Sequence, residues 1–179
     1  MIYSPCSKSK DIPLRLRKSL MNINKNIHTL ARAVIIDQGH ILLAHHPGWK
    51  QGHFYLPGGH IEHGESAQES VLRELDEEMG LSFTIQRFLG CLEYSFQANL
   101  GTKVCHTHEY NFLFLATSSE LKAGVIPPQK EEHVAFAWIP LENLASTNLL
   151  PTPLIQLIPA WSEQNLVQAF MTEMIKPLI

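Results

Sequence analysis

The stretch RELDEEMG, residues 73–80, decides how this 179-residue chain is read. On a helix, Glu74, Glu77 and Glu78 fall at i, i+3 and i+4 and crowd onto one face. Like charges at these spacings destabilise an isolated helix by about 0.2–0.5 kcal/mol per pair. Only 17% of the chain is charged, below the roughly one quarter usual for a globular domain. Such a local concentration calls for compensation, and a divalent cation shared by the carboxylates would turn repulsion into coordination.

Upstream, Ser66 is an N-cap and Glu69, three residues later, completes a capping box, while Gly80 is a left-handed terminator. The helix is therefore expected over Ala67 to Met79. Val71, Leu72, Leu75 and Met79 form its apolar stripe; the glutamates flank the core on a neighbouring face, and Arg73 and Asp76 point elsewhere. Before the helix, FYLPGG (54–59) reads as a short strand ending in a Pro-Gly-Gly break, and HIEHGES (60–66) turns at Gly64. Carboxylates beside backbone carbonyls suit a hard cation such as Mg²⁺ or Mn²⁺.

Further out, HTLARAVIID (28–37) and HILLAHH (40–46) are strands joined by a turn at Gln38-Gly39, and PGWKQG (47–52) is a loop. FTIQRFLGCLEYSF (83–96) reads as one long strand or a pair. CHTHEYNFLFLA (105–116) follows it through a turn around Asn99 to Gly101. HVAFAWIP (133–140) is a last short strand, and Leu141 to Leu144 starts a small helix. The tail offers a helix start at Pro153, then a Ser162-capped amphipathic helix carrying Leu166, Val167, Phe170 and Met174. Strands on both sides of a central helix, with helices at the end, give an α/β chain with a mixed sheet between helices.

The bulk composition narrows the function. With 14 basic and 17 acidic side chains the net charge is −3, which argues against a nucleic-acid binder driven by phosphate attraction. Cys6, Cys91 and Cys105 are too few and too scattered for a disulfide framework or a CxxC metal site, and a reducing, cytoplasmic setting is expected. No apolar run approaches the ~18 residues that span a bilayer. Residues 1–27 are read as a flexible basic tail without a secretory h-region, and 28–179 as a single domain that includes the C-terminal helices.

The spacing Gly59-x5-Glu65-x7-Arg73-Glu74-Leu75-x-Glu77-Glu78-x-Gly80-Leu81 resembles the Nudix box, with all nine specified positions filled across 23 residues. The LPGG approach (56–59) and the flanking strands resemble the same family over roughly His28 to Leu144. The resemblance implies an α/β/α sandwich and a Mg²⁺-dependent pyrophosphohydrolase (Mn²⁺ being the alternative ion) that cleaves the diphosphate of a nucleotide-type small molecule. A nucleoside triphosphate, ADP-ribose or a nucleotide sugar would fit; a proline or tyrosine about sixteen residues past the box, common in members acting on ADP-ribose or dinucleoside polyphosphates, is replaced here by Phe96-Gln97. It also implies that Glu74, Glu77 and Glu78 bind metal, with the carbonyl of Gly58 or Gly59 as a further ligand. Glu65 and Arg73 would form a bridge fixing the loop on the helix, and Leu75 and Leu81 would belong to the core. The family often supplies a further glutamate before the last strand, where this chain has Glu131 and Glu132; Glu132 is preferred, Glu77 is the fallback base, and Glu93 and Glu109 are lesser candidates. Two rivals share the box: a ligand sensor without turnover, and an isomerase or non-nucleotide diphosphatase on the same fold.

Arg32, in an otherwise apolar strand, must be paired or face a cleft, and is a candidate partner for substrate phosphate; an edge-strand arginine is the competing reading. Phe54, Tyr55 and Phe96 are candidates to stack a base, although strand aromatics more commonly build the core. Alternation would place His106 and His108 on one face of a strand, but neither they nor His45-His46 have zinc-type spacing to other ligands. His60 and His63 are expected to meet solvent or substrate. A monomer or homodimer is expected, with the C-terminal helix packed on its own sheet by default.

Overall fold

The computed structural model describes residues 27–48, 52–97, 106–163 and 169–174. Residues 1–26 of the expected N-terminal tail, the turn at Asn99 to Gly101, and Leu166 and Val167 lie outside the described residues, and Ile27, expected as the last tail residue, opens a strand. β1 (Ile27–Val34) is followed by β2 (Ile36–Asp37) and β3 (His40–His45), then β4 (Phe54–Tyr55) and β5 (Gly58–His60). Helix α1 (Ala67–Met79) leads into the long strands β6 (Thr84–Ser95) and β7 (His108–Thr117). β8 (Ala135–Pro140), a 3-10 turn (Leu141–Ser146), α2 (Leu154–Ser162) and β9 (Phe170–Glu173) complete the described chain.

The strands form two sheets rather than one. The larger is mixed and runs β5-β1-β7-β6-β9, with β1 parallel to β7 and antiparallel to β5. In the smaller, β3 is the hub and pairs antiparallel with β2, β4 and β8. The hairpin between β2 and β3 turns at Gln38 and Gly39, both with positive φ, the backbone that suits a two-residue hairpin.

Side-chain alternation along these strands feeds two cores. Ala33, Leu42, Ala44 and Phe114 face one layer with Val71, Leu75 and Met79 of α1. Their neighbours Val34, Ile41, Leu43 and Leu113 face the other layer with Leu144, Leu157, Ile158 and Trp161. The period of two thus builds an α/β/α sandwich, with α1 on one side and α2 with the 3-10 turn on the other.

α1 occupies the span its cap chemistry predicts. Ser66 accepts from the Glu69 N–H, Glu69 reaches back to the Ser66 N–H, and Gly80 closes the helix at φ 68°. Two details differ. Leu72 is 37% exposed, and Glu78 is buried at 4%. The face that meets the sheet is Val71-Leu75-Glu78-Met79, at i, i+4, i+7 and i+8, which turns Leu72 outward and carries a glutamate inward.

The C-terminal segment departs further. α2 starts at Leu154, directly after Pro153, but ends at Ser162, and Phe170 lies in a strand. β9 runs parallel to β6, pairing Phe170 with Cys91 and Glu173 with Tyr94. Gly90 makes this approach feasible, because a Cβ there would stand 2.7 Å from the Ala169 carbonyl and 2.8 Å from the Trp161 ring. All four residues of β9 are exposed, so backbone pairing along β6, rather than an amphipathic face, sets its conformation.

Candidate active site

The loop before α1 sets the geometry. Gly58, at φ 115°, packs so close to β1 that a Cβ would lie 2.3 Å from the Ala31 carbonyl. At Gly59 a Cβ would meet the Glu74 carboxyl at 2.4 Å. The glycine pair therefore lets the loop lie directly on the acid face of the helix.

Arg73 organises that face instead of pointing away from it. Its guanidinium donates to both Glu65 oxygens, at 2.8 and 3.0 Å, and to the His60 carbonyl at 3.1 Å. The same side chain donates from Nη1 to Glu74 at 3.0 Å and to Glu77 at 2.9 Å. The Arg73 hydrogen bond, aided by the Glu62 N–H, holds the Glu65 carboxyl down at about 2. Two of the three box carboxylates thus share one cation that belongs to the chain.

Glu78 stands apart from this clamp. Its Oε2 accepts from the Gly58 N–H at 3.3 Å. Burial pushes its pKa up to about 8, against the favourable charge of Arg32 and with the charges of Glu74 and Glu131 adding to the rise. Burial also raises the Glu74 carboxyl, with Arg73 opposing. Glu77 is the outermost, its side chain 49% exposed. The donor set fits a hard divalent ion: a buried carboxylate that gains from a positive charge, two more on the same helix, and backbone oxygens in the loop. The Gly58 carbonyl, one of the expected ligands, accepts from Arg32.

Arg32 links this face to a cavity of about 460 Å³ lined by His53, Phe54, Tyr55, Tyr94, Phe96 and Glu109, among others. It lies on an interior strand, not an edge, and donates to the carbonyls of Leu56 and Gly58. Its guanidinium sits 5.9 Å from the centre of the Tyr55 ring, within cation–π range. Phe54 and Tyr55 are half-buried and line the cavity, so the strand position that suggested core packing also presents them to a ligand.

The downstream acids separate. Glu131 carries a charge that acts on both Glu78 and Tyr55 and meets His133 at 3.2 Å, while Glu132 is exposed. Glu109 is buried between His106 and Asn111. Burial works to raise its carboxyl, but these hydrogen bonds and the charge of Arg32 outweigh it and leave the group below the ordinary range. Glu93 accepts from Tyr110, His108 and Thr172 across β6, β7 and β9. His108 is thereby turned to Glu93, and His106, which precedes β7, does not share its partner; strand alternation does not extend to residue 106.

The family model for the NUDIX domain matches residues 27–159. A NAD-capped RNA hydrolase, NudC, of Vibrio vulnificus is 29% identical over 122 residues, covering 66% of this chain and 42% of the relative. The CTP pyrophosphohydrolase of Escherichia coli K12 is 29% identical over 132 residues, 72% of this chain and 88% of that protein. The chain spans less than half the length of the first of these relatives. Among solved structures, a UDP-X diphosphatase superimposes with TM-score 0.64 at 18% identity, over 91% of this chain and 77% of that one. A NUDIX hydrolase from Nitrosomonas europaea gives TM-score 0.61 at 20% identity, over 76% and 89%. At such identities the structures show the shared fold, and the sequence match over most of the chain carries the classification: this chain belongs to the NUDIX domain family.

Proposed function

We propose that the chain is a divalent-metal-dependent pyrophosphohydrolase acting on a nucleotide derivative. The observation that carries this reading is the junction at Arg32 of an acid helix face with an aromatic cavity. A cavity of about 460 Å³ falls within the roughly 300–1,000 Å³ of small-molecule sites. Phe54, Tyr55 and Phe96 offer planar surfaces to a base, and Arg32 stands between them and Glu78 as a partner for phosphate. The relative named a CTP pyrophosphohydrolase supports the same substrate class.

Glu74, Glu77 and Glu78 would hold the cation, Mg²⁺ or Mn²⁺ by the hardness of the donors; such an ion supplies neutralisation and polarisation of phosphoryl oxygens. The chain's own residues do the rest. Arg73 fixes the loop to the helix through Glu65 and so positions the carboxylates. We assign proton acceptance from the attacking water to Glu131 rather than Glu132, because Glu131 is the half-buried member of the pair, held beside His133, and its charge reaches Glu78 and Tyr55, whereas Glu132 is exposed. Bond cleavage would yield a monophosphate and the phosphorylated remainder, or pyrophosphate from a triphosphate.

The test is release of phosphate, pyrophosphate or nucleoside monophosphate from a panel of nucleoside triphosphates, nucleotide sugars and ADP-ribose, with and without Mg²⁺. Metal-stimulated turnover of at least one member is expected. Tight binding of one member without turnover would replace this reading by a ligand sensor.

A further inference from the structure

We propose that His28, His60 and His106 form a second metal site, distinct from the carboxylates of α1, that takes a transition-metal cation of the Zn²⁺ class. The three imidazoles come from segments far apart in sequence. β1 lies between β5 and β7 in the sheet, with Leu30 opposite His60 and His28 opposite Glu109. One ligand atom from each histidine lies within 4.8 Å of the other two. His28 Nδ1 and His60 Nε2 meet at 2.7 Å, and the His28 and His106 rings stack with centres 4.4 Å apart. Nitrogens around a zinc at about 2.0–2.1 Å stand roughly 3.4 Å apart, so small ring movements convert the cluster into a coordination shell.

The chemistry of the donors selects the ion. Neutral imidazoles favour Zn²⁺, Ni²⁺ or Cu²⁺ over Mg²⁺. Glu109 Oε2 meets His106 Nε2 at 2.5 Å, the carboxylate–imidazole arrangement that orients a metal-bound histidine and raises its basicity. His60 is exposed and leaves a route for an ion to enter, while His106 and Glu109 line the cavity beside Arg32. A cation here would therefore sit beside the wall of this cavity, next to His106 and Glu109.

The site is tested by binding, so its outcome is separate from that of the hydrolase reading. Chelator-stripped full-length protein is titrated with Zn²⁺ in excess Mg²⁺ by calorimetry, beside His60→Asn, Glu78→Gln and Glu109→Gln. One equivalent of Zn²⁺ is expected for the native chain and for Glu78→Gln, with its loss in His60→Asn and a roughly 10–100-fold weaker Kd in Glu109→Gln. Undiminished Zn²⁺ binding by His60→Asn, no binding by the native chain, or loss in Glu78→Gln with retention in His60→Asn would each overturn the proposal. X-ray absorption of the Zn²⁺-loaded native protein gives a reading independent of variant folding: an imidazole-rich shell supports the site, and an oxygen-only shell overturns it.

Discussion

At the scale of single residues, Glu78 and Gly59 show how little room the acid face has. Glu78 is a carboxyl taken into the helix–sheet interface, where it accepts from the Gly58 N–H. Glu78→Gln keeps the shape but removes the charge a cation would use, so turnover should fall by at least ~10²-fold, of the order that loss of an electrostatic group costs. The melting temperature should be kept, because a neutral amide is easier to bury than a carboxylate. Near-native activity in that variant would exclude Glu78 from metal binding. Gly59→Ala acts on its neighbour: the new methyl would overlap the Glu74 carboxyl at 2.4 Å. Gly59 has no positive φ, so the alanine is not strained by backbone conformation. Expected is a folded protein with weakened Mn²⁺ binding in a titration followed by electron paramagnetic resonance; native affinity would show that Glu74 moves freely.

At the scale of elements, α1 illustrates local control. Its ends are set by side chains within four residues of each terminus, so Ser66, Glu69 and Gly80 could be read without knowing the rest of the molecule. Ser66→Ala removes the hydroxyl half of the capping box, leaving the backbone N–H of residue 66 to donate to Glu69, and should lower unfolding free energy by about 1 kcal/mol in urea; an unchanged midpoint would mean the lost cap is replaced by solvent at no cost. The burial of Glu78 was not legible, because an acid in a helix reads as surface unless the sheet beneath it is known. β9 was misread as helix for a related reason. Its four residues are all exposed, so no pattern in Phe170–Glu173 records the strand; the space at Gly90 on β6 does. The histidine trio was equally hidden, since His28, His60 and His106 become neighbours only through the strand order β5-β1-β7. Arg32 could be flagged from sequence as an unaccompanied charge, but its partners are backbone carbonyls that sequence does not label.

At the scale of the whole molecule, the bridge from Glu65 to Arg73 ties the loop after β5 to the helix and should register in global stability. The folded pKa of Glu65, about 2, lies below its ordinary value of 4.5. The contribution is therefore present above pH 4.5 and is lost as pH falls toward 2. Denaturant unfolding across that window should show a falling stability that flattens in Glu65→Gln; an identical pH slope in the variant would remove the bridge as its source. The layering of a sheet between helices and the span of α1 were legible in the chain because periodicity reports faces, whereas the division of the strands into two sheets and the joining of helix face and cavity at Arg32 are products of sheet assembly. The arginine clamp also has a consequence for how such a protein is made. Because Nη1 of Arg73 already bridges Glu74 and Glu77, the acid helix needs no ion to be tolerated during folding. Folding is therefore expected to proceed without metal, unlike in zinc-finger domains that stay unfolded without their ion. A nascent chain in a metal-poor cell would mature in shape first and wait, idle but intact, for its cation; chelation should silence it while leaving its far-ultraviolet dichroism unchanged.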